Sequence, residues 1–378
     1  MTRISSDSFS AAQDDLAHFL NNHLFRYDAR RNYDFGALDR SNVSGLSKYI
    51  SHRVLCEYDV VRQTLKRAPL AEVEKFVQEV FWRIYWKGWL EHRPSVWHDF
   101  VRFDADCFAQ KDYRNAVEGR TGIACFDAWV AELQETNYLH NHTRMWFASI
   151  WIFTLKLPWQ LGAAFFLEHL LDGDAASNTL SWKWVAGLQT KGKHYLAKSW
   201  NIEKFTLNRF KDIKLDESAE AIIEDQMYEL CKLPFSSTEI KNDSLIVFDS
   251  DLFIAEYSGN YKNIYFIDIE NEYRKIKLSE NVINFKKALI QNICKDFSNA
   301  KVVNHVEIKN ISETIKEFDV AYPFIGENLD YLKKLEQSLQ LKLNMIIKKE
   351  DLFCWQFSNK GYFNFKSNIP KILGKLIL

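Results

Sequence analysis

The chain divides near residue 210 into two parts that use different residues. Eleven of the twelve Trp and fifteen of the sixteen Arg lie before residue 210, whereas 22 of the 33 Lys lie after it. A chain of 378 residues is long enough for two or three domains. The change in residue usage predicts one domain over residues 1–210 and a second over residues 240–378, joined by a linker over residues 211–239.

The charges of the chain nearly cancel. Lys and Arg number 49 and Asp and Glu number 50, so the net charge is −1, and residues 1–210 alone carry +2 (26 − 24). Binding of a polyanion such as DNA therefore requires a local basic patch. The six cysteines form no CxxC pair, which argues against a zinc knuckle and a disulfide scaffold. The N-terminal sixteen residues lack the apolar segment of a secretory signal, so we expect a cytoplasmic protein.

The first part of the chain is predicted to be helical. Residues 71–92 place apolar side chains at spacings of three and four, the period of a helix with one buried face. An apolar run over residues 145–167 is interrupted by Lys156, Pro158 and Gln160. Its longest uninterrupted stretch is shorter than the ~18 residues that a membrane span needs. We therefore predict two buried core helices in this run and no membrane segment.

The second part of the chain alternates strands and helices. Apolar runs over 244–250, 263–269, 302–308, 321–325 and 343–347 are predicted strands, and residues 283–297, 312–318 and 327–339 are predicted helices. This alternation favours a doubly wound α/β domain with a parallel sheet and right-handed crossovers. Neither GxGxxG nor GxxxxGK[ST] occurs in the chain, so the usual nucleotide-binding fingerprints are absent from the sequence.

Two short patterns in the first part suggest ligand chemistry and leave alternatives open. His140 and His142 form an HxH pair, but a metal site needs three or four ligands, and no carboxylate follows at a typical spacing, so we expect no metal. Asp172 and Asp174 form a DGD sequence. These carboxylates could bind a divalent cation, cap a helix from a turn, or accept hydrogen bonds from the amides or sugar hydroxyls of a ligand.

Two further patterns are equally ambiguous. Glu79 and Trp82 are three residues apart in a predicted helix, so the carboxylate and the indole share one face. Such a pair could stack on a base and hydrogen-bond its edge, or could be a core Trp beside a surface Glu. The serines of SNVSGLSKYI (41–50) could cap a helix or hold phosphates at a helix N-terminus.

Six segments between residues 27 and 200 carry a family resemblance. In order they are YDARRNYD (27–34), SNVSGLSKYI (41–50), QEVFWRIYWKGW (78–89), EGRTGIACFDAWVAEL (118–133), NYLHNHTRMWFAS (137–149) and EHLLDGDAASNTLSWKW (168–184). Each resembles a segment of the FAD-binding helical domain of the photolyase/cryptochrome family, among them its Thr-Ser-Arg-Leu-Ser phosphate segment and its Asp-Gly-Asp segment. Agreement in order over so much of the chain is more specific than any single motif.

The resemblance implies that the first domain is an all-α FAD-binding domain, and it assigns the cofactor contacts. The positions that hold the phosphates and the adenosine half in the family are matched by Tyr27, Ser44, Leu46 and Ser47. Those that hold the flavin and ribityl region are matched by Arg144, Asp172 and Asp174. Asn178 falls at the Asn that faces flavin N5.

The resemblance also implies an electron path and a substrate pocket. The family's chain of indoles from the flavin to the surface is matched by Trp182, Trp159 and Trp97. The pocket for a cyclobutane pyrimidine dimer is matched by Glu79, Trp82, Asn141, Met145 and Trp184. Arg31 and Arg83 fall near DNA-contacting positions, and His142 stands where an Arg usually approaches the DNA backbone.

These assignments imply a light-driven lyase that repairs cyclobutane pyrimidine dimers in UV-damaged DNA with excited, reduced FAD. The alternative is a cryptochrome-like photoreceptor that senses blue light without repair. Ile84 replaces a Glu of the family. Val43 and Gly45 depart from its phosphate segment, and this departure favours the alternative, together with the near-neutral charge of the helical domain and the missing antenna domain. Twenty-six residues precede Tyr27, so we expect a short form without an N-terminal antenna domain. The C-terminal α/β domain could be that antenna-like domain in a permuted position, or an unrelated doubly wound domain.

Overall fold

The computed structural model describes residues 8–104, 110–190, 192–233 and 239–376. Within these ranges the first 205 residues contain helices and no strand. Their bounds are α1 Phe9–Asn22, α2 Tyr27–Arg30, α3 Ser47–Ile50, α4 Glu57–Leu65, α5 Leu70–Glu91, α6 Ser95–Val101, α7 Gln110–Val117, α8 Ala124–Thr136, α9 Asn141–Ser149, α10 Trp159–His169, α11 Ala175–Ala186 and α12 Ser199–Phe205.

The longest helix, α5, is the centre of the helical region. It starts directly after Pro69, which lacks an N–H and is therefore well suited to a helix start. Its buried face includes Val77, Phe81 and Ile84, all fully buried, as the spacing of three and four predicts. Since α4, α11 and two C-terminal helices all pack against α5, this helix joins the two halves of the chain.

The apolar run over residues 145–167 forms two buried core helices, as predicted. α9 continues through a π-helical turn, Ile150–Thr154, and the chain then breaks at Lys156, whose φ of 56° is left-handed. Pro158 precedes α10 and cannot extend the earlier helix. Among the described residues, no helix is long and apolar enough to cross a membrane.

The C-terminal region is a doubly wound α/β domain, which confirms the predicted fold class. Five parallel strands have the order β3-β2-β1-β4-β5. The strands are β1 Ser244–Val247, β2 Asn263–Ile267, β3 Ala300–Val303, β4 Glu317–Ala321 and β5 Lys342–Ile346. The helices are α13 Glu280–Cys294, α14 His305–Ile311, α15 Glu327–Leu339, α16 Lys349–Trp355, α17 Tyr362–Ser367 and α18 Ile369–Leu376.

Three elements of this domain lie elsewhere than the sequence predicts, and one of them is the strand predicted over 321–325, since β4 ends at Ala321. Residues 302–308 are predicted as a strand, but β3 ends at Val303 and α14 begins at His305. The side chain of Asn304 accepts from the backbone N–H of Glu307, and the Glu307 carboxylate accepts from that of Asn304, so a capping box starts the helix there. The predicted helix over 312–318 is wrong in consequence, because β4 already begins at Glu317.

A buried guanidinium joins the two domains. The Arg53 side chain is fully buried and donates to Asp351 through both terminal nitrogens, at 2.6 and 2.7 Å. It also donates to Glu57 at 2.8 Å and to Asp251 at 3.1 Å. Burial alone would raise the pKa of Glu57, but Arg53 and Lys87 outweigh burial and lower that pKa to about 2. Two carboxylates of the α/β domain therefore neutralise a cation of the helical domain.

A second contact between the domains contains a carboxyl group with a raised pKa. Glu91, at the end of α5, accepts from the Tyr322 hydroxyl at 2.8 Å and from the backbone N–H of Ile325 at 2.9 Å. Burial raises the pKa of Glu91 to about 7, although both hydrogen bonds lower it. One turn earlier, a Cβ added at Gly88 would stand 2.3 Å from the Trp355 ring, so only a glycine permits this approach of α16.

We predict that Arg53→Ala lowers the free energy of unfolding by about 3–5 kcal/mol, because it leaves buried carboxylates without their cation. Arg62→Ala is the matched control, since Arg62 pairs with Asp59 on the surface of the neighbouring helix α4. The control is expected to cost less than about 1 kcal/mol. Urea unfolding followed by Trp fluorescence measures both, and equal losses in the two variants would contradict the role given to Arg53.

We predict that Glu91 makes the protein less stable as the pH rises. Its folded pKa of about 7 exceeds the ordinary value of 4.5, so its stabilising contribution is complete below pH 4.5 and is lost as the pH rises through 7. The contribution at stake is on the order of 3 kcal/mol. Glu91→Gln should flatten the curve of unfolding free energy between pH 5 and 8, whereas Glu118→Gln, at an exposed site, should not. Parallel curves for wild type and Glu91→Gln would refute this.

Candidate functional site

The candidate site is built on one face of α5. Glu79 and Trp82 are three residues apart and Glu79 and Arg83 are four apart, so the three side chains lie on adjoining positions of the same helix surface. All three are only partly buried, whereas their neighbours Phe81 and Ile84 are in the core. The face of α5 that is not in the core therefore carries an acid, an indole and a guanidinium.

Two guanidinium groups converge on Asp172. Arg144 donates to one carboxylate oxygen at 3.0 Å and Arg83 to the other at 3.3 Å. The hydroxyl of Ser47 also hydrogen-bonds to this carboxylate. Burial of Asp172 would raise its pKa, but Arg144 and Arg83 outweigh burial and hold that pKa below its ordinary value. Asp172 is thus a fixed anion that joins α5, α9 and the start of α3.

Asp174 caps a helix, which is one of the alternatives left open for the DGD sequence. Its Oδ1 accepts from the backbone N–H of Ser177 at 2.8 Å and caps α11, and its Oδ2 accepts from Arg83 at 3.0 Å. Among the described residues, no three His, Cys, Asp or Glu side chains are grouped as metal ligands. In the HxH pair, the Nδ1 of the buried His140 accepts from the backbone N–H of His142 at 3.2 Å, and burial lowers the pKa of the His140 ring to about 3.

The predicted phosphate segment lies beside Asp172. Ser44 accepts from the backbone N–H of Leu46 at 3.4 Å, and Ser47 opens the one-turn helix α3. Gly45 has a φ of 65°, and a Cβ placed there would have no other atom within 4 Å. Ser44 and Ser47 are half-buried, whereas Leu46 is fully buried. The segment therefore presents hydroxyls and open space next to the Asp172 network.

Tyr27 lies against α5, and Asn178 lies one turn along α11 from Asp174. The Tyr27 ring packs edge-on against Phe76 of α5 at 5.4 Å. Burial and, to a smaller extent, the charge of Glu79 raise the pKa of the Tyr27 hydroxyl. Asn178 follows Asp174 by one helical turn on α11, so both side chains share a face. Its amide nitrogen donates to the Ala163 carbonyl at 2.8 Å, which fixes the orientation of the amide group.

An unpredicted residue covers the Trp82 ring. Tyr362, the first residue of α17, stacks on Trp82 with ring centroids 3.4 Å apart and planes 10° apart. The Tyr362 hydroxyl donates to the backbone carbonyl of Gln78 at 3.0 Å. Nothing in the local sequence around residue 362 signals this contact, because its partner lies 280 residues earlier in the chain.

Two opposing effects act on the Glu79 carboxyl. Burial raises the pKa of the Glu79 carboxyl, and the charge of Arg31 lowers it in part. Arg31 approaches Glu79 at 3.4 Å, and a third of the Glu79 side chain is exposed. Glu79 is therefore a carboxyl group at the edge of the covered Trp82 surface, with one cation beside it.

The remaining residues of the predicted dimer pocket are spread over two helices. Asn141 is exposed at the start of α9, and Met145 is half-buried one turn later. Trp184, on α11, stacks on Tyr195 with ring centroids 5.9 Å apart. No described contact joins Trp184 to Trp82. Grouping of these residues with Glu79 and Trp82 around one ligand stays a prediction.

The prediction that the indole chain ends at the surface is wrong at Trp97. Trp182, Trp159 and Trp97 are all buried, and Trp97 is only 1% exposed. The Trp97 indole N–H donates to Asp330 of α15 at 2.8 Å, so the α/β domain covers the end of the chain. Phe100 lies between the rings of Trp97 and Trp159, at 5.5 and 5.7 Å.

Two residues predicted to contact DNA are engaged inside the protein. Arg83 pairs with Asp172 and Asp174 and is only 16% exposed. The Nδ1 of His142 is hydrogen-bonded to the Asn32 carbonyl at 2.8 Å, and burial lowers the pKa of the His142 ring. The structure therefore does not support either residue as a cationic contact to a DNA backbone. Arg31 retains more exposure, at 25% of its side chain, and stays a candidate.

The residues around Asp172 fit the chemistry of FAD. Hydroxyls and an unfilled space at Gly45 suit a diphosphate, and the shared face of Asp174 and Asn178 suits hydrogen bonds to a ribityl chain and a flavin ring. The described cleft nearest to them is lined by Asp174, Lys286 and Arg274, and it lies between α11 and the carboxyl edge of the sheet. Neither of the two described cavities is lined by Tyr27, Ser44 or Asn178.

Comparisons with known proteins agree on the character of the helical domain. A family model described as the FAD binding domain of DNA photolyase matches residues 76–212. The deoxyribodipyrimidine photo-lyase of Vibrio cholerae is 29% identical over 196 residues, which cover 50% of this chain and 41% of that protein. The same enzyme of Thermus thermophilus is 33% identical over 193 residues, or 49% of this chain and 44% of that protein.

A solved structure covers a similar share of the chain. The crystal structure of a class III photolyase from Agrobacterium tumefaciens matches with 27% identity and a TM-score of 0.45, over 52% of this chain and 42% of that one. This chain thus spans less than half the length of these relatives.

Proposed function

Since the chain belongs to the photolyase/cryptochrome family through its FAD-binding helical domain, we propose that it repairs cyclobutane pyrimidine dimers in DNA by a light-driven, flavin-dependent reaction. The pairing of Glu79 with Trp82 on the partly buried face of α5, outside the core, carries the proposal. Trp82 presents a flat surface that receives an aromatic ring face to face, as its contact with Tyr362 demonstrates. Glu79 lies one turn away, within reach of the edge of a stacked base.

FAD is the cofactor of this domain, and when reduced it supplies an electron donor that blue light excites. In our proposal the residues around Asp172 hold it, namely Tyr27, Ser44, Leu46, Ser47, Arg144, Asp172, Asp174 and Asn178. Asp172 acts by keeping the guanidinium groups of Arg144 and Arg83 in place. Asp174 and Asn178 present their polar groups from rigid positions on α11, which places them with little loss of conformational freedom.

Trp82 and Glu79 act on the substrate in this proposal. Extrusion of a base costs a few kcal/mol and is least costly for a damaged pair. Stacking on an indole returns ~1–3 kcal/mol per base, so Trp82 offsets much of that cost. Burial raises the pKa of Glu79, which increases the share of protonated carboxyl near neutral pH. A protonated Glu79 donates a hydrogen bond to a pyrimidine carbonyl and can transfer its proton as charge develops there.

The proposal is tested by illuminating the protein with UV-damaged oligothymidylate after loading it with reduced FAD. We expect loss of dimers in light and none in the dark. Trp82→Leu should slow repair about 5- to 150-fold, which corresponds to the loss of one stacked base. Trp89→Leu is the matched control on the same helix and should repair at nearly the wild-type rate. Persistent dimers in the illuminated, flavin-loaded wild type would reject the repair function.

A second candidate is a blue-light photoreceptor without repair activity, and the stack of Tyr362 on Trp82 favours it. In that case the C-terminal domain would cover Trp82 permanently and no dimer would bind. The assay above separates the two, since a photoreceptor binds flavin and changes its absorbance in light but leaves the dimers intact.

We predict that Asp172→Asn weakens FAD retention about tenfold or more. The substitution keeps the shape of the side chain but removes the charge that fixes Arg144 and Arg83, and charge-assisted hydrogen bonds of this kind are worth about 1.5–3 kcal/mol. Asp216→Asn, at an exposed ion pair with Lys156, is the control. The flavin-to-protein ratio after gel filtration gives the readout. Equal ratios in both variants would remove Asp172 from the proposed cofactor site.

A further inference from the structure

Tyr362 is held over Trp82 by several contacts that do not depend on the stack. Phe365, one turn later on α17, is fully buried and packs against Phe81 and Tyr85 of α5. Lys366 pairs with Glu74 at 3.5 Å. These contacts dock α17 on α5 and place its first residue above the indole.

The Tyr362 ring contacts two rings besides Trp82, namely Tyr85 at 5.3 Å and Phe365 at 6.2 Å. It belongs to the first residue of α17, and Gly361 precedes it with no other atom near its Cβ position. The side chain contributes one hydrogen bond, from its hydroxyl to the Gln78 carbonyl. Rotation of this ring would uncover Trp82 while Phe365 and Lys366 keep the helix in place.

We propose that Tyr362 is the resident occupant of the base-binding face of Trp82, and that nucleic acid binds by displacing this ring. This inference rests on the proposed function, because it takes Trp82 as the surface that receives a base. The stack is nearly parallel with strong overlap, at 3.4 Å and 10°, so a base and Tyr362 cannot share the same face of the indole. The C-terminal domain then sets the affinity of the site by supplying a competitor at high local concentration.

Displacement also makes the site selective. A ligand that binds only the uncovered state has its apparent affinity reduced by the fraction of molecules in that state. A single base replaces the stacked Tyr362 ring with one ring, so little binding free energy is gained. A dimer brings two linked rings and its own hydrogen bonds to Glu79. Tyr362 is therefore a specificity-determining residue that favours a dimer over an undamaged base.

The test measures binding in the dark of a fluorescent oligothymidylate that carries one cyclobutane dimer, and of the same oligonucleotide without it. Tyr362→Ala should bind the dimer oligonucleotide about tenfold more tightly than wild type, because the competing stack and its hydrogen bond are gone. Tyr362→Phe keeps the ring and should stay within about threefold of wild type. Phe363→Ala is the control, since Phe363 is 87% exposed on the same helix.

Tyr362→Ala should also lower the ratio of the affinity for the dimer oligonucleotide to the affinity for the undamaged one. Thermal unfolding shows whether α17 stays docked in Tyr362→Ala. If it does not, Tyr362→Phe is compared with Phe363→Ala. Tighter binding of the dimer oligonucleotide by Tyr362→Phe then reports the loss of the hydrogen bond from Tyr362 to Gln78. Equal, measurable binding by wild type and Tyr362→Ala would overturn the inference and leave the proposed function standing. Binding by neither protein would overturn both. Binding by Tyr362→Ala alone would show that Tyr362 closes the site in the wild type, and would overturn both displacement and the proposed repair function.

Discussion

The buried Arg53 guanidinium is the interaction on which the arrangement of the two domains depends. A fully buried charge is tolerated only when hydrogen-bonded counter-ions surround it, and here two of the counter-ions, Asp351 and Asp251, come from the α/β domain. The buried charge of Arg53 in the helical domain therefore has all its counter-ions only when the α/β domain is docked. Because α16 carries Asp351 and leads into α17, the same ion cluster also determines where Tyr362 lies.

One helix connects this interface with the candidate site. α5 carries Lys87, Gly88 and Glu91 toward the α/β domain, and it carries Glu79, Trp82 and Arg83 toward the candidate site. Gly88 allows the close approach of Trp355, and one to two turns earlier the indole of Trp82 meets Tyr362. In the structure, the segment that covers Trp82 is α17, which contributes Tyr362.

Local patterns predicted the longest helix and the two core helices around residues 145–167, and non-local contacts account for the failures. The spacing of apolar residues indicated α5, and Lys156 and Pro158 indicated the break before α10. The DGD sequence was expected to act either as a cap or as a ligand, and Asp174 caps α11 while it binds Arg83. In contrast, β4 was misplaced because its central residue, Asp319, is polar yet fully buried. Its partners, Asn344 and Tyr261, come from distant segments.

The same limit applies to the site. The family resemblance predicted Trp97 as a surface residue, but that resemblance covers only the helical domain, and Asp330 of the α/β domain closes over the indole. Arg83 was expected to face DNA, and Asp172 with Asp174 turn it inward. Tyr362 was not foreseen at all, since its role depends on how α17 docks. The permuted relation of the α/β domain to an antenna domain stays a prediction.

The sequence separation within the Arg53 cluster has a consequence for biosynthesis. Asp351 follows Arg53 by 298 residues, so the helical domain leaves the ribosome long before its main counter-ion exists. At roughly 5–20 residues per second, the delay is about 15–60 seconds. During that time the surface around Arg53 and Lys87 must stay hydrated, because the free-energy cost of burying a charge without its counter-ion is too high. The flank of the helical domain around Arg53 therefore closes only after Asp351 has been synthesised.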